Sequence, residues 1–440
     1  MNANPYDQIP YYCQPIEWTA PERLALTTLL HGGPVPDLKH YRVLELGCGD
    51  GANLIPMAFY RPQAEFIGVD GCAAHIDSAR HRLAQLGLDN LQFLHQDFTT
   101  AADLLPGQFD FIIVHGVFSW VPDPVRDALF QLCRDKLHDH GLLYLNYNTR
   151  PGWNIRGMVR DYLLDHTEKF NGLTQKVQHA RTAATQMARA LASSEHPFSR
   201  LLADEFQFVC DNHDSYIAHE FLAQDNHAYW RSEFLALAAR YGLNPVADAD
   251  YNYPSGRVDP SLSRKIQALD LAGTHLTDTI DLISYRQLHT PILSKRRARA
   301  TSQPAIPLHD MQIASCLYPA GLHKPQWYQH PNGYQVEVRE SPMAEMLDHL
   351  LPLWPHGAPL DTILDHSERY RDDLILLHNN GLLELRLPDG PKAMPRQPLN
   401  RLNQLELSWG DFCTNDYHQR LARPAPPLPE LKGLDDVVTQ

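Results

Sequence analysis

A chain of 440 residues is too long for one compact core and should divide into two or three domains. Its formal net charge of −14 repels phosphate backbones, which argues against nucleic acid as a partner. Seven cysteines without Cys-x-x-Cys spacing argue against a disulfide framework or zinc ribbon. With no secretory leader and no apolar run near the ~20 residues a span needs, a cytoplasmic protein without membrane insertion is expected.

The leader Tyr6-Asp7-Gln8-Ile9-Pro10-Tyr11-Tyr12 is rich in tyrosine and proline and lies close enough to the following elements to close over a ligand. Val43-Leu44-Glu45-Leu46 then reads as a buried strand running into Gly47-Cys48-Gly49-Asp50-Gly51, with a helical pattern from Ala52. Glycines at alternate positions permit a tight strand-to-helix turn on which a ligand lies against bare backbone. The following helix N-terminus favours an anionic group. Nineteen residues beyond Gly51, the strand Phe66-Ile67-Gly68-Val69 ends in Asp70, a carboxylate placed to accept from both ribose hydroxyls. These residues describe a nucleoside-cofactor site, and this context alone leaves NAD and S-adenosylmethionine both open.

Leu91 to Phe98 reads as a short strand ending in Asp97, a carboxylate suited to the amino group of an adenine, with Phe98 beside it. Phe109 to His115 is a fourth buried strand. A helix over Asp123–Leu137 leads through His140-Gly141 into a fifth strand, Leu142 to Tyr147. In this order the glycine turn, the acid after strand two, the Asp-Phe after strand three, and the segments FDFIIVHGVFSWVPD and HGLLYLNYN resemble class I methyltransferases. The resemblance implies a Rossmann-like α/β sheet and S-adenosyl-L-methionine as cofactor. Expected cofactor contacts are Glu45, Gly47, Cys48, Gly49, Gly51, Asp70, Asp97, Phe98 and His115.

Residues 1–154 are read as the cofactor-binding core. Residues 155–295 follow as a helical regulatory insertion with late core strands, because the period turns helical from Ile155 to about Ser194 and again from about Ser215 to Tyr241. The unit FLALAARYGLNPVADADY reads as helix, glycine stop and strand, and Arg286 to Ser294 as the last core strand. Residues 296–340, which begin within the basic run Lys295-Arg296-Arg297-Ala298-Arg299, are expected to be a solvated linker. Residues 341–440 are read as a winged-helix-like C-terminal module and a Pro-rich tail. Nine acidic against three basic residues between 341 and 390 argue against a DNA-reading role.

Methyl transfer from a sulfonium needs donor and nucleophile aligned about 3 Å apart with water excluded, so aromatic walls and polar acceptors are sought rather than a triad. The loop His115 to Pro122 and the turn Asn146 to Trp153 supply them, with Phe118, Trp120, Tyr147 and Trp153 as candidate walls and His115 as a base or cofactor contact. The catalytic candidates are thus His115, Trp120, Tyr147 and Trp153. The histidines lack metal-ligand spacing, and no metal is expected.

The segments HGVFSWVPDPVRDALFQLCRDKLHDHGLLYLNYNTRPGWNIRGMVRDYLLDH and SYIAHEFLAQDNHAYWRSEFLALAARYGL, with the opening YDQIPYYCQP, resemble the class I methyltransferases that carry a methyltransferase regulatory domain. That family includes the rickettsial outer-membrane-protein lysine methyltransferases, and the resemblance spans residues 5 to 295. It implies a protein substrate with an accessible lysine. A small-molecule N- or O-methyltransferase and an NAD-dependent oxidoreductase are the alternatives, with a non-catalytic ligand sensor as a third. The chain is shorter than the rickettsial enzymes, with a reduced C-terminal region, and the sequence does not fix an oligomeric state.

Overall fold

The protein is described by a computed structural model covering residues 5–250, 260–269, 274–298, 307–321, 326–331, 333–388, 400–410 and 412–422. Strands β1 (Arg42–Leu46), β2 (Glu65–Asp70), β3 (Leu91–His95), β4 (Phe109–Val114) and β5 (Leu137–Leu145) run parallel. Two later strands, β6 (Asn244–Asp248) and β7 (Pro291–Ser294), complete a seven-stranded sheet in the spatial order β3-β2-β1-β4-β5-β7-β6. β7 is antiparallel to both neighbours. Strand order reverses between β1 and β4, and the crevice beyond their carboxyl ends is where open sheets of this kind bind ligands.

The strands are apolar because both faces are covered. Leu44, Leu46, Ile67, Val69, Ile112 and Val114 enter one core; Val43, Phe66, Phe111, Ile113, Leu142 and Tyr144 enter the other, as strand alternation requires. Each fully buried Leu or Ile contributes about 1.5–3 kcal/mol. The helices flanking the first three strands are α1 (Pro21–Leu30), α2 (Leu54–Tyr60) and α3 (Ala73–Leu86), and α4 (Asp123–Lys136) connects β4 to β5.

β5 begins at Leu137, five residues before the expected Leu142. An irregularity in the β4–β5 register lets the exposed His138-Asp139-His140 join the strand. Helix α5 (Arg150–Thr167) likewise starts before the expected Ile155, because Pro151 in its first turn is compatible with a helix start. Trp153 therefore lies on a helix and not in a turn. Helices α6 (Leu173–Leu191) and α7 (Pro197–Asp211) follow, with a separate core of Val159, Leu163, Val177, Ala184, Phe206 and Phe221. α7 was not foreseen. Helix α8 (Arg231–Arg240) then leads into β6.

The stretch expected as a linker is partly built into the fold. Lys295 Nζ donates to the Leu137 carbonyl at 2.6 Å and Arg297 Nε to Asn244 Oδ1 at 3.2 Å, so this basic run ties β7 to its neighbours. Gln312–Ala314 is the middle strand of a small antiparallel sheet, between Ala358–Pro359 and Glu384–Arg386. Around it lie α9 (Ser341–Leu350), one turn at Leu360–Ile363, and α10 (Arg371–Asn379). Ile313, Leu347 and Leu385 share a core with Val43 and Phe66 of the large sheet. α11 (Arg401–Trp409) and the ribbon Phe412–Thr414/Arg420–Ala422 return to the core domain. There Tyr60 donates to the Thr414 carbonyl at 2.9 Å, and Trp409 to Gln85 at 3.1 Å. The Pro-rich tail lies outside the described residues from 423 onward.

Candidate functional site

The turn after β1 is held by backbone conformation and by Asp70. Gly47, Gly49 and Gly51 have φ of +82°, +53° and +80°, a region L side chains avoid. At Gly49 a Cβ would also meet Cys13 Sγ at 2.4 Å, so the leader lies directly on the turn. Asp70 Oδ2 accepts from the Gly49 N–H at 2.9 Å, and Oδ1 from the Cys72 N–H at 2.8 Å. The carboxylate expected for a ribose thus also ties the glycine turn to the tip of β2, and each oxygen has a lone pair to spare.

Cys48 contributes backbone only. Its side chain is buried against Gly68, and burial pushes its thiol well up. Glu45 is 3 % exposed: Oε1 accepts from Asn53 Nδ2 at 2.7 Å, while Oε2 is buried with no hydrogen bond. Desolvation raises its carboxyl to about 8. Glu45 therefore braces the turn from inside through Asn53. Asn53 also accepts from the Ile16 N–H at 2.9 Å and meets His418 Nε2 at 2.8 Å. Asp97 and Phe98 stand at the tip of β3, where Asp97 Oδ1 caps the short helix Phe98–Ala101 by accepting from Thr99.

His115 follows β4. Its Nδ1 lies 2.9 Å from the Tyr144 hydroxyl, which accepts at 2.9 Å from Trp18 Nε1. An indole can only donate, so the Tyr144 proton goes to His115 Nδ1, and the network assigns the His115 hydrogen to Nε2. Burial lowers this imidazole to about 4. His115 is neutral near pH 7 and presents an N–H, which suits a hydrogen-bond donor and not the base considered from sequence.

The structure brings together only some of the expected walls. Trp120 and Trp153 meet edge to face with centroids 5.3 Å apart. Tyr147 is 1 % exposed and stacks on Phe234 at 3.9 Å, and Phe118 is fully buried in the same core, on the opposite face of the sheet from Tyr144. Both are packing residues. Strand parity carried this signal, because Tyr144 and Tyr147 point to opposite faces.

Sequence reasoning places the insertion above the carboxyl edge of the sheet but singles out none of its residues. Residues 217–221 form a π-helical turn, a form frequent at functional sites. In it His219 Nε2 lies 2.6 Å from the Ile9 carbonyl and its ring stacks on Tyr6 at 4.1 Å. Tyr11 donates to Glu220 Oε1 at 3.4 Å. Asn146 Oδ1 accepts from the Gly116 N–H at 2.7 Å, fixing the loop after β4. Among the described residues no cluster of three or more His, Cys, Asp or Glu could hold a metal ion, and no helix is long and apolar enough to cross a membrane.

This geometry agrees with the comparisons to known proteins. Residues 43–141 match the family described as a methyltransferase domain. Residues 43–141 are thus similar to a methyltransferase domain. Over 292 residues the protein is 34 % identical to an uncharacterized protein of Rickettsia prowazekii, a match covering 66 % of this chain and 52 % of that relative. The chain thus spans about half of that relative's length. A second uncharacterized R. prowazekii protein is 29 % identical over 239 residues, 54 % of this chain and 95 % of the relative. Among solved structures, PKMT2 from Rickettsia typhi in complex with AdoHcy superposes with a TM-score of 0.81 at 22 % identity, over 94 % of this chain and 86 % of the other. The fold shared with that structure therefore extends well beyond the matched domain.

Proposed function

We propose that this protein is an S-adenosylmethionine-dependent methyltransferase whose acceptor is a lysine amine of a protein. The observation that carries the cofactor is the cradle formed when Asp70 grips the Gly49 N–H: bare backbone beside a carboxylate at the carboxyl edge of β1 and β2. Gly47 and Gly49 would lie along the amino-acid end, Asp70 would accept from the ribose, Asp97 and Phe98 would flank the adenine, and the His115 N–H would face the middle of the ligand. When bound, this cofactor supplies an electrophilic methyl group. The chain's own residues then orient the acceptor and exclude water, with Trp120 and Trp153 walling the approach. The resemblance to PKMT2, solved with AdoHcy, supports the same cofactor.

Support for lysine comes from the net charge of −14, which attracts a basic segment, and from the resemblance of the loops after β4 and β5 to lysine methyltransferases. We further propose that residues 341–388 form a winged-helix-like module that modulates the core. Lysate incubated with enzyme and methyl-labelled cofactor is expected to carry label on protein lysines. Label confined to small metabolites would transfer the reading to a small-molecule N- or O-methyltransferase, and NADH binding without AdoHcy binding would end it.

A further inference from the structure

We propose that Glu220 is the group that recognises the acceptor amine, binding it as an ammonium; this rests on the methyltransferase reading above. The π-helical turn puts Glu220 at the junction of three parts of the site. On one side is the leader, through the Tyr11 hydroxyl at 3.4 Å and through Tyr6 stacked on His219. Tyr6 lies in the field of both Glu220 and Asp70, and its ring is 5.5 Å from His75, whose Nδ1 is 3.7 Å from Asp70. On the other side Arg156 acts on Glu220 and lies 5.6 Å from the Trp153 ring, which meets Trp120 of the loop after β4. Contacts thus run from Glu220 through Tyr6 and His75 to the β2 tip, and through Arg156 and Trp153 to the loop after β4.

The surroundings of this carboxyl suit a cation on an apolar stem. Tyr6, Tyr11, Tyr216 and His219 supply aromatic rings, and Arg156 is committed elsewhere. Its Nε donates to Glu205 at 2.8 Å and its guanidinium lies 4.0 Å over Phe208. Desolvation raises the Glu220 carboxyl to about 8 against the opposing pull of Tyr11 and Arg156, so an arriving ammonium adds compensating charge at the carboxyl itself. If the N–H proton passes to a Glu220 Oε, an N–H bond breaks, an O–H bond forms, and the amine keeps the lone pair that methyl transfer requires. The ionisable groups that act on this carboxyl are Tyr11 in the leader and Arg156 in α5, while Asp70, Cys13 and Cys72 act on Tyr6, Cys13 and Tyr216 on Tyr11, and His75 on His219.

The test uses the full chain saturated with AdoHcy and titrated with n-butylammonium, a lysine stem without its backbone, with binding followed by NMR. Wild type is expected to bind it. Glu220→Gln is expected to weaken it at least tenfold while leaving AdoHcy affinity within twofold and n-butanol binding unchanged. No binding by wild type, or equal binding by both proteins, overturns the proposal. A large loss of AdoHcy affinity by a folded Glu220→Gln protein also overturns it, because it assigns this carboxyl to the cofactor's own ammonium. If wild type does not bind AdoHcy at all, the methyltransferase reading fails first. Should Glu220→Gln not fold, NMR of wild type decides: intermolecular NOEs between the n-butylammonium methylenes and the Glu220 side chain support the proposal, and binding without them overturns it.

Discussion

Asp70 does two things with one carboxylate, and that sets the size of its effect. Asp70→Ala removes charge-assisted bonds to the Gly49 and Cys72 N–H groups and the acceptor for a ribose. At about 1.5–3 kcal/mol for a hydrogen bond to a charged group, AdoHcy affinity is expected to fall at least about tenfold, measured by calorimetry. Gly49→Val is expected to abolish binding, since a side chain at φ +53° is strained and would run into Cys13 Sγ. Glu45 predicts a pH dependence of stability. Its carboxyl ionises near 4.5 in an unfolded chain and near 8 when folded, so the fold holds its proton more tightly. That contribution is complete below about pH 4.5 and is lost as pH rises through 8, at ~1.4 kcal/mol per pH unit. The melting temperature of Glu45→Gln should therefore fall less between pH 5 and 8.5 than that of wild type.

Among the elements, the helical insertion depends on an ion pair removed from water. Arg156 and Glu205 each have 6 % of the side chain exposed, and Glu205 also accepts from the Tyr285 hydroxyl at 2.9 Å. Glu205→Ala leaves a buried guanidinium without its carboxylate, and a loss of about 3–5 kcal/mol is expected in chemical denaturation. The alternating apolar strands, the glycine turn and the carboxylates after β2 and β3 were legible because each depends on neighbours in sequence. The π-helical turn at 217–221 and the pairing of Tyr144 with His115 and Trp18 were not, because they arise from contacts 29 to 210 residues apart. Tyr147 misled because an aromatic residue near a strand end looks the same whether it faces a cleft or the core.

At the scale of the whole molecule, the large sheet and the C-terminal unit are continuous, since the apolar face carrying Val43 also packs Ile313, Leu347 and Leu385. Periodicity could not reveal that Gln312–Ala314 pairs with strands more than 40 residues later. Asn53 connects these parts. Asn53→Ala removes partners from Glu45, Thr19, the Ile16 N–H and His418 at once. At about 1–3 kcal/mol for each buried group left unsatisfied, a fall of several degrees or more in melting temperature is expected by calorimetry.

His418 is 4 % exposed, sits at φ +61° and is kept neutral by burial, which lowers it to about 3. Its contact with Asn53 joins two sites 365 residues apart. During synthesis, every side chain assigned to the nucleoside cradle leaves the ribosome long before the imidazole that finishes its bracing. A nascent chain halted after β7 would hold the whole ligand-contacting set and still lack this clasp, so competence to bind should appear only once the ribbon carrying His418 has emerged.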